Sequence, residues 1–255
     1  MILSFYKYQG TGNDFIIIDN RNLQHYSKRL IQKLCDRRYG IGADGLMLIQ
    51  NHAQHDFEMI YHNADGSQSL CGNGSRCAVH FAQYLGIIAH KTHFLTIDGS
   101  HEAFIKDDLI HLKMNNVSEI QIINNDFFLS TGAPHYVKFV DNLKKFDIYQ
   151  EGKALRYSKA FQKEGTNVSF VEKKEGRMLF VRTYERGVED ETHSCGTGAT
   201  AVALVASTKG WRSPIDITTR GGELSVCFES DGTHKFKNIY LIGPAVMVFK
   251  GEIEI

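Results

Sequence analysis

Alternation of apolar and polar positions is the commonest pattern along the chain. Phe57, Met59 and Tyr61 recur at period two, as do Leu179 and Val181 against Met178 and Phe180. Leu224, Val226 and Phe228 follow the same rule, and so do Val246 and Val248 near the end. Successive side chains of a strand leave opposite faces of a sheet, so this period predicts strands. Polar turns such as Lys106-Asp107-Asp108 and Asp231-Gly232 separate several of them, which predicts hairpins and a largely antiparallel arrangement. Helical signals are fewer: one from about Ser27 to Cys35, one opening after Cys71 and one after Cys195. The class expected is α+β, rich in strand.

An internal echo sets the organisation. Cys71-Gly72-Asn73-Gly74 opens an apolar helical stretch ending at Gly86, and Cys195-Gly196-Thr197-Gly198 opens another ending at Gly210, each glycine 15 residues after its cysteine. Tyr61 precedes Cys71 by ten residues and Tyr184 precedes Cys195 by eleven, each closing an alternating strand. The copies are offset by 195 − 71 = 124 residues, about half of the 255-residue chain. Self-similarity at that period predicts two related domains, each built as strand, acidic turn, Cys-Gly-x-Gly and helix.

Composition narrows the classes further. The 29 basic and 29 acidic residues cancel, so no global field favours nucleic acid or an anionic membrane. Apolar runs are short: Phe15 to Ile18 stops at Asp19, and Ala199 to Ala206 contains Thr200, so no membrane-spanning helix is expected. The first residues lack a basic segment leading into an apolar one, and the cysteine count of five is odd. Both features predict a cytoplasmic protein with reduced thiols rather than a disulfide framework.

A Cys-Gly-x-Gly opening a helix has a physical use. The first-turn N–H groups are free to bind an anion, and about half a positive charge sits at that helix end. The thiol is then expected to ionise more readily than an ordinary one, which is only about 3% thiolate at pH 7. A single such cysteine reads better as a small buried residue at a helix start. Two at repeat-related positions, Cys71 and Cys195, point to chemistry: one thiolate removes a proton from a carbon while the opposite thiol delivers one to the other face, inverting the stereocentre without redox change. Such a pair titrates as a unit and predicts a bell-shaped dependence of rate on pH.

Several segments carry a family resemblance. Asn63-Ala64-Asp65-Gly66 followed by Cys71-Gly72-Asn73-Gly74-Ser75-Arg76-Cys77, and Tyr184-Glu185-Arg186-Gly187 followed by Glu191-Thr192 and Cys195-Gly196-Thr197-Gly198, resemble the diaminopimelate epimerases. Gly12-Asn13-Asp14-Phe15, Gly40-Ile41-Gly42-Ala43-Asp44, Pro134-His135 and Thr166-Asn167-Val168 extend the resemblance over nearly the whole chain. It implies an enzyme that interconverts LL- and meso-diaminopimelate without pyridoxal phosphate or any other cofactor, on the route to lysine and cell-wall precursor. Cys71 and Cys195 match the family's acid and base, and His135 and Glu185 match positions that tune the thiols. Asn13, Asn63, Asn167, Glu185 and Arg186 match substrate-binding positions, and Gly72, Asn73, Gly196 and Thr197 match the backbone beside each cysteine. The implied fold is two pseudo-symmetric domains, residues 1–113 with 244–255 and residues 114–243, each a mostly antiparallel sheet around a central helix with the active site between them, and the implied assembly is a homodimer.

Three positions depart from the family pattern. Gly45 stands where some relatives have Gln, Ala133 stands where many have Asn, and Glu189-Asp190 replaces a single Gly. Gly40-Ile41-Gly42-Ala43-Asp44-Gly45 matches a dinucleotide-binding fingerprint, but a helix precedes it and a strand follows, the reverse of what that motif needs. Cys71 and Cys77 are separated by about 240° around a helix, and no His-Glu-x-x-His occurs, so no metal site is expected. Cys35, Cys77 and Cys227 are expected to pack as small hydrophobes, and Trp211 and the other aromatics lack the basic interleaving of a nucleic-acid surface. Two other functions fit the two-cysteine reading less fully: a racemase for another amino acid, and a binding module that exchanges no α-hydrogen.

Overall fold

The structure is a computed structural model that describes residues 2–232 and 234–255. The chain divides into two compact units, Met1–Leu112 with Gly243–Ile255, and Lys113–Ile242.

In the first unit, β1 (Ile2–Gly10) and β2 (Asn13–Asp19) form an antiparallel pair, and α1 (Lys28–Cys35) carries the chain to β3 (Gly45–Gln50), parallel to β2. The strand β4 (Phe57–Asn63) returns antiparallel to β3, and α2 (Gly72–Tyr84) then crosses to β5 (Lys91–Thr96), parallel to β4. The strands β6 (Gly99–Lys106) and β7 (Leu109–Lys113) add on as an antiparallel meander. Their turn places Asp107 and Asp108 at φ 52° and 59°, the doubly left-handed geometry of a tight hairpin.

The second unit repeats that order. After the short β8 (Gln121–Ile123) come β9 (Asp126–Ser130) and β10 (Pro134–Phe139), an antiparallel pair, and α3 (Ile148–Arg156) leads to β11 (Asn167–Lys174), parallel to β10. The strand β12 (Met178–Glu185) is antiparallel to β11 and carries the two-residue β13 (Asp190–Glu191) on its end. The helix α4 (Gly196–Thr208) crosses to β14 (Ile215–Thr219), parallel to β12, and β15 (Gly222–Ser230) and β16 (Phe236–Gly243) complete the meander. The β15–β16 connection includes Thr233, so the expected Asp231-Gly232 turn runs into a position outside the described residues. Finally β17 (Val246–Glu254) pairs antiparallel with β1 in the first unit. Each parallel pair is bridged by a helix because parallel strands require a crossover connection.

The central helices are α2 and α4. From Ala199 to Ala206 every residue of α4 is buried, and it packs against β9 to β12, β14 and β15. A helix apolar all round must be surrounded. In the first unit α2 buries Cys77, Ala78, Val79, Phe81 and Ala82, with β1 to β4 and β17 around it. The opposite sheet face is covered by α1, whose Ile31 and Leu34 meet Phe5, Ile16 and Leu46, and in the second unit by α3, whose Ile148 joins Leu143, Phe170 and Tyr184.

The sequence pattern did not anticipate α3. Gly152 interrupts it, and a glycine is required there because an added Cβ would lie 2.5 Å from Tyr184 Cβ. Its start is nonetheless capped, the Asp147 carboxylate accepting from the Gln150 amide at 3.0 Å. Carried one element upstream, the internal echo would have required α3 as the counterpart of α1.

Candidate active site at two helix N-termini

Cys71 and Cys195 are the N-cap residues of α2 and α4, both 13-residue helices. Their backbones are nearly superimposable in conformation, at φ −134°, ψ 112° and φ −119°, ψ 109°. An N-cap residue is extended while the next residue is helical, which aims its side chain back over the exposed first-turn amides. The glycines keep that approach open: nothing lies within 4 Å of a Cβ added at Gly72, whereas Gly74 sits under the Cys71 sulfur and Met47.

Around Cys71, the Gly74 amide donates to the sulfur at 3.4 Å and the thiol faces Asn13 Oδ1 at 3.5 Å. The Asn73 amide donates to the same Asn13 oxygen at 3.4 Å, and Asn13 Nδ2 donates to Asp44 Oδ2 at 2.6 Å. Asp44 is ion-paired with Arg37 at 2.6 Å, and Arg37 also holds Asp14. Lys7 and Arg37 hold the Asp14 carboxyl down to about 2 against the opposing effect of burial, which is the largest single influence on it. Behind Asn73 lies Arg76, fully buried, donating to Asn73 Oδ1 at 3.1 Å, Thr11 Oγ1 at 3.0 Å and the Pro244 carbonyl at 3.4 Å. Asn63 is engaged within its own turn, donating to Ser67 Oγ at 3.0 Å and accepting from Ser69 at 3.2 Å.

Around Cys195, the sulfur lies 3.4 Å from Thr197 Oγ1, and that hydroxyl lies 2.9 Å from His135 Nε2. Asn167 Oδ1 accepts from the Arg186 amide at 2.8 Å, which turns Asn167 Nδ2 toward the Pro134 carbonyl at 3.2 Å and His135 Nε2 at 3.3 Å. An amide nitrogen only donates, so Nε2 is the accepting nitrogen and Nδ1 carries the proton toward Ser169 Oγ at 3.3 Å. Ser169 continues to Thr183 at 3.1 Å. Burial, with the Arg186 guanidinium nearby, pushes the His135 pKa down to about 3, so the imidazole is neutral. The Glu185 carboxylate accepts from Thr192 at 2.5 Å and bears on the Cys195 thiol. The Arg186 side chain is exposed, with Nη1 on the Glu164 carbonyl at 2.8 Å.

One expectation is overturned here. The helix end was expected to make Cys195 readily ionised, but burial and the Glu185 carboxylate push its thiol well above the ordinary range, outweighing the Gly198 amide. Desolvation removes more from the thiolate than a helix terminus returns.

The structure accounts for two of the three departures from the family pattern. At Gly45 an added Cβ would lie 2.4 Å from the Tyr61 ring and 2.5 Å from the His62 carbonyl, so Tyr61 occupies the space a longer residue needs. Glu189 takes a left-handed φ of 58° and spans the turn: it accepts from the Gly187 amide at 3.0 Å, from the Tyr157 and Tyr184 hydroxyls at 2.9 and 3.2 Å, and pairs with Arg156. At Ala133 the side chain is only a methyl, and nothing in the structure explains the replacement.

Sequence reasoning gave Asp44 and Arg76 no role, and marked Glu189 only as a departure from the family pattern. The available signal for Arg76 was that it is the one arginine or lysine of α2, since arginine is almost never fully buried without partners. A cavity of about 530 Å³ in the second unit, lined by Asn115, Ser118, Phe128 and Gly132, includes neither cysteine. Among the described residues no cluster of His, Cys, Asp and Glu could hold a metal, and no helix is long and apolar enough to cross a membrane.

The fold is shared with proteins of known structure. A Bacillus anthracis protein of the phenazine-biosynthesis PhzF family aligns over 100% of both chains with a TM-score of 0.79 at 13% identity. A hydroxyproline epimerase from Agrobacterium vitis aligns over 99% of this chain and 92% of its own with a TM-score of 0.71 at 13% identity. Those likenesses establish the fold. The sequence model of the family described as diaminopimelate epimerase matches residues 5–119 and 127–248. The diaminopimelate epimerase of Flavobacterium psychrophilum is 53% identical over 98% of this chain and 100% of its own length, and that of Aquifex aeolicus 38% over 98% of each. This chain belongs to the diaminopimelate epimerase family.

Proposed function

We propose that this protein interconverts LL- and meso-2,6-diaminopimelate, in the synthesis of lysine and peptidoglycan precursor, by moving an α-proton between Cys71 and Cys195. The observation that carries the reading is the equivalence of the two cysteines: each caps the central helix of one of two topologically repeated units, in a chain of this family. The first unit supplies one reacting thiol and the second the other, as the N- and C-terminal epimerase domains.

An α-hydrogen beside a carboxylate and an ammonium is a very weak acid, so charge developing at that carbon must be met by fixed donors. The first-turn amides of Gly72 and Asn73 and of Gly196 and Thr197 are the donors this chain offers. The remaining head of the substrate needs acceptors for its ammonium and a cation for its carboxylate, for which Asn13, Asn63, Asn167, Glu185 and Arg186 are suited. Cys195 starts as the thiol. An ammonium that pairs with Glu185 removes that carboxylate's hold on the thiol proton, and neutral His135, acting through Thr197, keeps the sulfur in place without adding charge. No cofactor takes part, and neither metal nor nucleic acid is a partner. The free state of all five cysteines supports a cytoplasmic setting. The family resemblance, with Val246, Val248 and Phe249 exposed on β17, supports a homodimer.

The test is incubation of reduced protein with LL-diaminopimelate in D2O without pyridoxal phosphate, reading isomer composition and α-deuterium, with Cys71→Ala and Cys195→Ala as controls. The expected result is meso product deuterated at the inverted carbon, with both controls slowed by at least about a hundredfold. Folded, reduced protein that exchanges no α-hydrogen rejects this substrate. Turnover of proline or hydroxyproline instead would point to another racemase, and binding without exchange to a silent module.

A further inference from the structure

In the first unit four side chains form a single hydrogen-bonded row that leads past the Cys71 sulfur. Arg76 Nη1 donates to Asn73 Oδ1 at 3.1 Å, Asn73 Nδ2 donates to Asn13 Oδ1 at 3.4 Å, and Asn13 Nδ2 donates to Asp44 Oδ2 at 2.6 Å. A side-chain amide can be turned end for end at little cost, so two asparagines alone could run this row in either direction. Its ends cannot. A guanidinium has hydrogens and no acceptor, and a carboxylate has acceptors and no hydrogen. Arg76 is fully buried and bound on three sides, and Asp44 is paired with Arg37. Every hydrogen bond in the row therefore points from Arg76 to Asp44.

We propose that Asp44 and Arg76 are positioning residues that lock this row in one direction, so that Asn13 presents its carbonyl oxygen, rather than its amide hydrogens, to the Cys71 sulfur. An oxygen 3.5 Å from that sulfur accepts from a thiol and repels a thiolate. The row thus keeps Asn13 from stabilising the Cys71 thiolate in the empty site, and leaves that to the Gly74 amide and the Arg76 charge until substrate reorders Asn13. The catalytic meaning of this rests on the proposed function, but the orientation itself does not. Arg76 and Cys77 of α2 and the Gly74 amide also bear on Cys71, while Asp14, Lys7 and Arg37 lie behind Asp44.

The test is the rate of Cys71 alkylation by iodoacetamide against pH in the full-length protein, read by mass spectrometry of the Cys71 peptide. Asp44→Ala frees the Asn13 amide to turn, and the rate at pH 7 is expected to rise about three- to tenfold. Removing a negative charge would by itself act the same way through space. The same substitution is therefore made in an Asn13→Ala background, where the expected change is less than about twofold because the group that turns is gone. An unchanged rate in Asp44→Ala, or an equal rise with and without Asn13, overturns the proposal. Should Asp44→Ala not fold, Asp44→Asn replaces it, with a smaller rise that again depends on Asn13. Wild-type turnover of diaminopimelate is measured alongside: its failure counts against the proposed function alone, since alkylation requires no catalysis.

Discussion

His135 Nε2 lies 2.9 Å from the Thr197 hydroxyl, and that contact ties a fully buried imidazole to the N-terminus of α4 where Cys195 sits. The imidazole can serve there only while neutral, because burial and the nearby Arg186 guanidinium both disfavour a second positive charge.

That neutrality makes the fold acid-sensitive. The unfolded chain takes up a proton on this histidine near the ordinary value of 6.5, and the folded chain only near 3. Stability therefore falls as pH drops through that window, by about 2–3 kcal/mol between pH 7 and pH 4.5. His62, His80 and His111 are lowered by burial too and act in the same direction, while Asp14, held at about 2, weakens the fold only below its ordinary 3.8. Urea unfolding at the two pH values is expected to show a smaller loss in His135→Gln than in wild type. Equal losses would mean that the imidazole is not desolvated as described.

Gly45 is fixed by Tyr61 rather than by a substrate. Introducing the glutamine of some relatives as Gly45→Gln drives a Cβ into the Tyr61 ring and the His62 carbonyl, and is expected to cost about 1–3 kcal/mol, a fall of roughly 3–10 °C in Tm. The cost should shrink when Tyr61→Ala is already present. A Gly45→Gln protein as stable as wild type would show that the Tyr61 ring moves aside freely.

Glu189 ties the turn that carries Glu185 and Arg186 to Tyr157 and Arg156 at the end of α3. Glu189→Ala frees that turn and is expected to raise KM for diaminopimelate about three- to tenfold with a smaller change in kcat, because Thr192 still holds Glu185. Glu189→Gln, which keeps acceptors for the two tyrosine hydroxyls, should recover part of the loss. A fall in kcat at unchanged KM would place Glu189 in the chemistry rather than in the turn.

Much of this protein was legible in its sequence because the information is local. Period-two alternation marked β4, β12, β15 and β17, and two Cys-Gly-x-Gly segments each followed 15 residues later by glycine marked α2 and α4 and the repeat that relates their surroundings. Helix and strand periodicity and helix-end chemistry are properties of neighbouring residues, so they survive without a fold. The helix α3 escaped because Gly152 weakens its pattern for the sake of Tyr184, 32 residues away. The electrostatic character of Cys195 escaped for the same kind of reason: a helix terminus can be read from the chain, but burial and the approach of Glu185 cannot. The row from Arg76 to Asp44 brings together residues from a helix, the start of a strand and a loop, and the tertiary structure alone decided it. Direction in a hydrogen-bonded row depends on which charged groups end it, and those groups meet only when the chain has folded.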